Sequence, residues 1–172
     1  MNASVAVLQL LVATAFISIP LVRHRFGAAA TDAAETELRR QGVRPGVLAE
    51  NGMRFDAGGH ETWAPVAIAA STATAAGLHL LGSSWASGVT WVVQTVVLLI
   101  NCLILYSNLT AVGSVSAAFA RKGDEDLARI DVAALLRAAE GGFPGWVWVL
   151  QDVRHVVVFG ASVAALVLTA GL

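Results

Sequence analysis

The 172-residue chain has one cysteine, Cys102, four prolines, one tyrosine and only 13% charged residues. A lone cysteine excludes a disulfide framework and any cysteine-based metal site, and the simplest role for Cys102 is that of a small residue inside a helix. The net charge is −1, with Lys and Arg interleaved among Asp and Glu rather than gathered in a stripe, so a nucleic-acid partner is not expected. What the chain has in excess is apolar residues, 56% of the total, with a mean hydropathy of +0.69. A soluble domain holds roughly 45–50%.

The excess collects in four runs, 3–22, 63–81, 89–112 and 156–172. Each is close to the ~17–25 residues needed to cross ~30 Å of hydrocarbon. A spanning segment must satisfy its backbone internally, and these runs are too long for barrel strands. The pattern therefore predicts an all-α integral membrane four-helix bundle, one domain over 1–172, placed multi-pass in the cell membrane with the lipid bilayer as its first partner. No Lys or Arg precedes the first run, which predicts that it is retained rather than cleaved as a leader.

All eleven Lys and Arg residues lie in two stretches: Arg23 to Arg54, and Arg121 to Arg154. The positive-inside rule then puts both long loops in the cytoplasm and the N-terminus, the 82–88 turn and the C-terminus outside. Within the first loop, "TDAAETELRRQG" predicts a short helix capped by Asp32 and ended by Gly42. "VLAENGMRF" places Asn51-Gly52 between two short runs, a hairpin signal, with a plain loop as the alternative. In the second loop "KGDEDLARIDVAALLRAAEGG" predicts one amphipathic helix with Leu127, Ile130, Ala134 and Leu135 on its apolar side. Pro144 suits the first turn of the helix that follows, and Trp146 and Trp148 suit a headgroup zone.

Polar residues inside apolar runs are the candidates for chemistry. Gln94, Asn101 and Asn108 are spaced seven and seven in the third run, so they share nearly one helical face. One reading makes them interhelical hydrogen-bond glue; the other makes them the lining of a ligand pocket or proton path. Ala69, Ala73 and Gly77 in the second run signal close helix packing. His79 near that run's end reads as a hydrogen-bonded histidine rather than a cofactor ligand. Counting back from the C-terminus sets Asp152, Arg154 and His155 at the cytoplasmic boundary, where His24 leaves and His60 and Glu61 enter. Asp152 and His155, three apart, share a helical face. Backed by His60, Glu61 and His24 they have the parts for acid–base catalysis or for a hard divalent metal. Solvated residues at a membrane edge are the competing reading, and no cofactor is evident from the residues.

Two stretches carry a resemblance. "AFISIPLVRHR" (15–25), with Phe16, Ser18 and Pro20, and "GWVWVLQDVRHVVVFGASVAAL" (145–166), with Trp146, Trp148, Val153 and Arg154, resemble the first and last helices of the small four-helix membrane proteins that include the anthrone oxygenases. The middle of the chain departs: "AVGSVSAAFARKG" stands where that family tends to show a Pro-Leu-Asn stretch. The resemblance implies a membrane oxidoreductase acting on an aromatic, quinone-like substrate without an obvious metal or haem. "HETWAP" (60–65), with Glu61 and Pro65, is similar to the second-helix entry of the membrane-associated eicosanoid and glutathione metabolism family, which would make the chain a transferase. The long loop before the last run argues against that. The third alternative is a non-enzymatic membrane subunit that binds another membrane protein or a second copy of itself.

Overall fold

The computed structural model describes residues 2–55 and 58–171, with the side chains of His60 and Glu61 outside the described set. In chain order it contains α1 (Asn2–Arg40), α2 (Val47–Glu50), α3 (His60–Leu80), α4 (Ala86–Leu109), α5 (Ala111–Lys122), α6 (Glu125–Ala128), α7 (Val132–Gly141) and α8 (Trp146–Ala170). No strand occurs among the described residues. Among the described residues three helices are long and apolar enough to cross a membrane: α1, α4 and α8. Helix α3, with 21 residues, is long enough but carries Ser71, Thr72, Thr74 and His79, which dilute its apolar character.

The chain divides into two compact units. The first comprises Met1–Leu21, Gly59–Leu105 and Trp148–Leu172, and so draws on α1, α3, α4 and α8. All four helices contribute to its apolar core of Val12, Ala13, Phe16, Ala69, Val97, Val158 and Ala161. Its outer faces are more apolar still: Val7, Leu11, Val92, Val96, Leu99, Leu103, Val156 and Val163 are all exposed, whereas Gln9, Thr72, His79, Thr90, Gln94, Asn101 and Ser162 are buried. A helical unit that buries amides and hydroxyls while exposing Leu and Val matches a hydrocarbon surround rather than water.

The second unit comprises Val22–Gly58 and Tyr106–Val147. Its core joins Ala34, Leu38, Val43, Val47 and Leu48 to Phe119, Leu127, Ile130, Val132, Leu135 and Ala139. Polar ties reinforce it. The Arg44 guanidinium donates from Nε to Asp126 at 2.8 Å and lies 3.2 Å from Glu50. Lys122 Nζ donates to the Asn51 carbonyl at 2.8 Å. The Asp131 N–H donates to Gln41 Oε1, also at 2.8 Å.

Several boundaries differ from the sequence reading. Helix α1 does not stop near Val22 but continues to Arg40, so Asp32 lies mid-helix and caps nothing. The Ala, Glu, Leu and Arg residues that dominate the stretch beyond Val22 are good helix formers, and no Pro follows before Pro45, so the single Gly27 is carried within the helix. There Gly42 adopts φ +74° and Val43 N–H reaches back to the Leu38 carbonyl at 2.9 Å, a six-to-one closure. The Asn51-Gly52 hairpin is absent. Gly52, φ +73°, instead ends α2, with Met53 N–H bonded to the Leu48 carbonyl at 2.9 Å. A left-handed glycine serves either turn, so the dipeptide alone could not choose between them. The single amphipathic helix of the second loop is two, because Asp131 accepts from Ala134 N–H and starts α7 afresh, as Asp124 does for α6. Helix α8 begins at Trp146, ten residues before the expected start.

Candidate functional site

The earlier start of α8 changes the setting of "QDVRH". Asp152, Arg154 and His155 occupy its second and third turns, not its first. Asp152 is exposed, Arg154 is half-buried, and His155 turns inward. There the His155 ring nitrogen Nδ1 lies 3.0 Å from Asn101 Oδ1, a contact between α8 and α4. An amide oxygen can only accept, so Nδ1 is the donor and the proton resides on it. In the neutral imidazole Nε2 then carries the lone pair. That atom is buried and has no hydrogen-bond partner among the described residues, as is also true of Asn101 Nδ2. A neutral imidazole held by one nitrogen, with the other unengaged, is the arrangement that proton abstraction requires.

Three more polar side chains meet near the α3–α4 turn. Gln9 Nε2 donates to Thr90 Oγ1 at 2.8 Å, and His79 Nε2 lies 2.8 Å from the same hydroxyl. Thr90 can accept from the amide and donate to the imidazole, which completes a chain Gln9, Thr90, His79 through α1, α4 and α3. One turn further along α4, Gln94 is fully buried, and neither its Oε1 nor its Nε2 has a partner among the described residues. Leaving one such buried group unpaired costs about 1–3 kcal/mol in protein terms.

Of the sequence candidates, the structure brings together Asn101 and His155. Gln94 is buried in the same unit. Asn108 is exposed and falls in the second unit, as does His24, which is exposed on α1. His60 opens α3, but its side chain and that of Glu61 lie outside the described residues. No group of three or more His, Cys, Asp or Glu that could hold a metal occurs among the described residues. Of the Ala69, Ala73 and Gly77 stripe, Ala69 is buried and Ala73 is exposed, so the inward face of α3 is instead Ala69, Thr72, Ala75, Ala76 and His79.

Gln9, Thr90 and Ser162 were missed. Each stands alone in an apolar run, and a single Thr or Ser in a membrane helix usually bonds back to its own carbonyls, so nothing local distinguished them. The distinguishing signal is the spacing Ala86, Thr90, Gln94, Val97, Asn101, which is the buried stripe of α4. Two cavities lie in the second unit: one of about 320 Å³ among Thr31, Glu35, Leu48, Met53 and Phe55, and an open groove of about 590 Å³ along Leu109, Gly113, Ala117 and Arg121. No family model, no curated protein and no solved structure matches the chain.

Proposed function

We propose that the chain is a multi-pass membrane enzyme acting on a small lipophilic substrate, aromatic or quinone-like, with His155 as its acid–base group and Asn101 as the residue that fixes the imidazole's tautomer. In this reading α3 crosses the membrane beside α1, α4 and α8, and both termini face outward, in keeping with the placement of Lys and Arg. The supporting observation is the 3.0 Å contact of Asn101 with His155 Nδ1 together with the buried, unengaged Nε2. Asp152, one turn away on α8, contributes a carboxylate field at the edge of the same region.

The resemblance to the anthrone oxygenases suggests the reaction to try. Abstraction of a ring-methylene proton from anthrone by Nε2 yields a carbanion that dioxygen oxidises, giving anthraquinone and water; anthrone and O₂ supply all the atoms of both products. The test is anthraquinone formation under air by the protein in lipid nanodiscs. His155→Ala should reduce the rate ~10²–10⁴-fold, the usual contribution of a positioned base. A wild-type rate equal to that of empty nanodiscs would remove the oxygenase reading.

A further inference from the structure

The polar groups near the α3–α4 turn form a second cluster, separate from His155. The Asn101–His155 contact sets the register of α4 against α8, and Val97, four residues before Asn101, shares one core with Val158 and Ala161, three and six residues after His155, as in an antiparallel pair. Seven residues along each helix, about 10 Å, then place Ser162 level with Gln94. Between the two levels lie Val97, Val158 and Phe16, an apolar belt. The cluster therefore receives Gln9 from α1, His79 from α3, Thr90 and Gln94 from α4, and Ser162 from α8, all buried.

Its unmet hydrogen-bonding capacity is specific. Among the described residues Gln9 Oε1 and Gln94 Oε1 are acceptors without donors, Gln94 Nε2 is a donor without an acceptor, and Ser162 Oγ, also unpaired, can be either. None of the five residues carries a carboxylate, so a cation entering this apolar surround would meet no countercharge, and the imidazole of His79 is already engaged by Thr90. A carbonyl compound would engage the Gln94 amide N–H and the Ser162 hydroxyl but leave both glutamine oxygens unpaired. A hydroxyl group does better, because it donates to a glutamine oxygen while accepting from Gln94 Nε2.

We propose that Gln9, Gln94 and Ser162 form a binding site for the hydroxyl head of an uncharged lipophile, with Thr90 and His79 holding the Gln9 amide in place. The site uses none of the side chains assigned to proton abstraction and stands whether or not His155 is catalytic.

The test is equilibrium dialysis of 1-naphthol against the full chain in nanodiscs, with empty nanodiscs correcting for partition into lipid and 1-methoxynaphthalene as the probe that keeps the ring but cannot donate. Saturable 1-naphthol binding, with the ether about tenfold weaker or more, is expected, since one lost hydrogen bond to a buried group is worth about that factor. Gln94→Leu and Ser162→Ala should each weaken 1-naphthol binding, with unchanged melting showing that the bundle is intact; Ser162→Ala serves alone where Gln94→Leu does not fold. His155→Ala should leave the binding unchanged, which separates this site from the proposed enzyme site. Equal binding of the two probes, no saturation above lipid partition, or indifference to Ser162→Ala would mean that the glutamines are met by internal water only and would overturn the site.

Discussion

Asn101 and His155, 54 residues apart in sequence, meet at 3.0 Å between α4 and α8, and the histidine's other nitrogen is buried without a partner among the described residues. A contact serving only to join the helices would end at the hydrogen bond. One that also leaves a base unengaged can act on a substrate.

The two roles predict different outcomes for Asn101→Leu. As glue, the side chain contributes about 0.6 kcal/mol and at most about 1.7, so melting of the protein in detergent should fall only slightly. As the group that fixes the imidazole tautomer, its loss should lower the rate of anthrone oxidation by far more than the stability change implies. A variant that melts earlier but turns over normally would return Asn101 to packing alone.

Asp152→Asn and Arg154→Lys probe the remainder of "QDVRH". Asp152 is exposed on α8, so the neutral amide should leave melting unchanged within about 0.5 kcal/mol. Its loss should lower the rate of anthrone oxidation, because the carboxylate stabilises the positive charge that forms on the imidazole as Nε2 takes up the substrate proton. Arg154→Lys keeps a cation on the same turn and should alter neither readout. An unchanged rate in Asp152→Asn would detach the carboxylate from the site.

Thr90→Val removes the hydroxyl shared by Gln9 and His79 while keeping the shape. Two buried bonds disappear and two polar side chains lose their partner, so about 1–3 kcal/mol of stability should be lost. The double variant Thr90→Val with Gln9→Leu should recover part of that loss, because it also removes the orphaned amide. Additive losses in thermal melting would show that the two side chains do not act as a unit.

How much of this was readable in advance depends on which interaction decides each feature. Apolar runs and the placement of Arg residues are properties of single segments, so the helical class and α1, α4 and α8 as membrane-crossing candidates followed directly from them. Gly42 reads as a helix end and Asn51-Gly52 as a hairpin; both glycines take positive φ, but the closure at Gly52 depends on Met53 reaching Leu48, a choice the dipeptide does not encode. Asn101 and His155 each stood out as polar residues in apolar surroundings. Their pairing did not, since Asp152 offers a nearer partner in sequence and the apolar run of α8 begins ten residues after the helix itself does. Gln9, Thr90 and Ser162 could be found only from the buried stripe that four helices define together.

In the second unit, Glu37 accepts two bonds from Arg40, each at 2.7 Å, and one from Gln41. It lies well past the apolar segment of α1. The Arg40 guanidinium first and the Gln41 amide second hold its carboxyl down from 4.5 to about 2. A depressed folded-state value stabilises the fold above the ordinary carboxylate pKa, and that stabilisation is lost as pH falls from about 4.5 toward 2. Helical circular dichroism during acid titration should therefore show less loss across this window in Glu37→Gln than in the wild type. Superimposable titrations would mean that the pair is fully screened.

Gly142 offers the most direct test of packing in the second unit. It closes α7 against α1, and a Cβ built there would lie 2.5 Å from the Ala30 Cα, 2.6 Å from its nitrogen and 2.7 Å from the Ala29 carbonyl oxygen. These are backbone atoms of a continuous helix and cannot rotate aside as a side chain would. Gly142→Ala should therefore force α7 away from α1 and cost about 1–3 kcal/mol, the usual penalty of overpacking. The adjacent Gly141 is the internal control. Nothing lies within 4 Å of its Cβ position, and it is the last residue of α7. Gly141→Ala should be neutral or stabilising by up to about 1 kcal/mol, because alanine restricts the unfolded chain more than glycine. Melting curves of the two variants should thus move apart from the wild type in opposite directions or in one direction only for Gly142→Ala. Equal behaviour at both positions would show that α7 and α1 do not approach as closely as Gly142 requires.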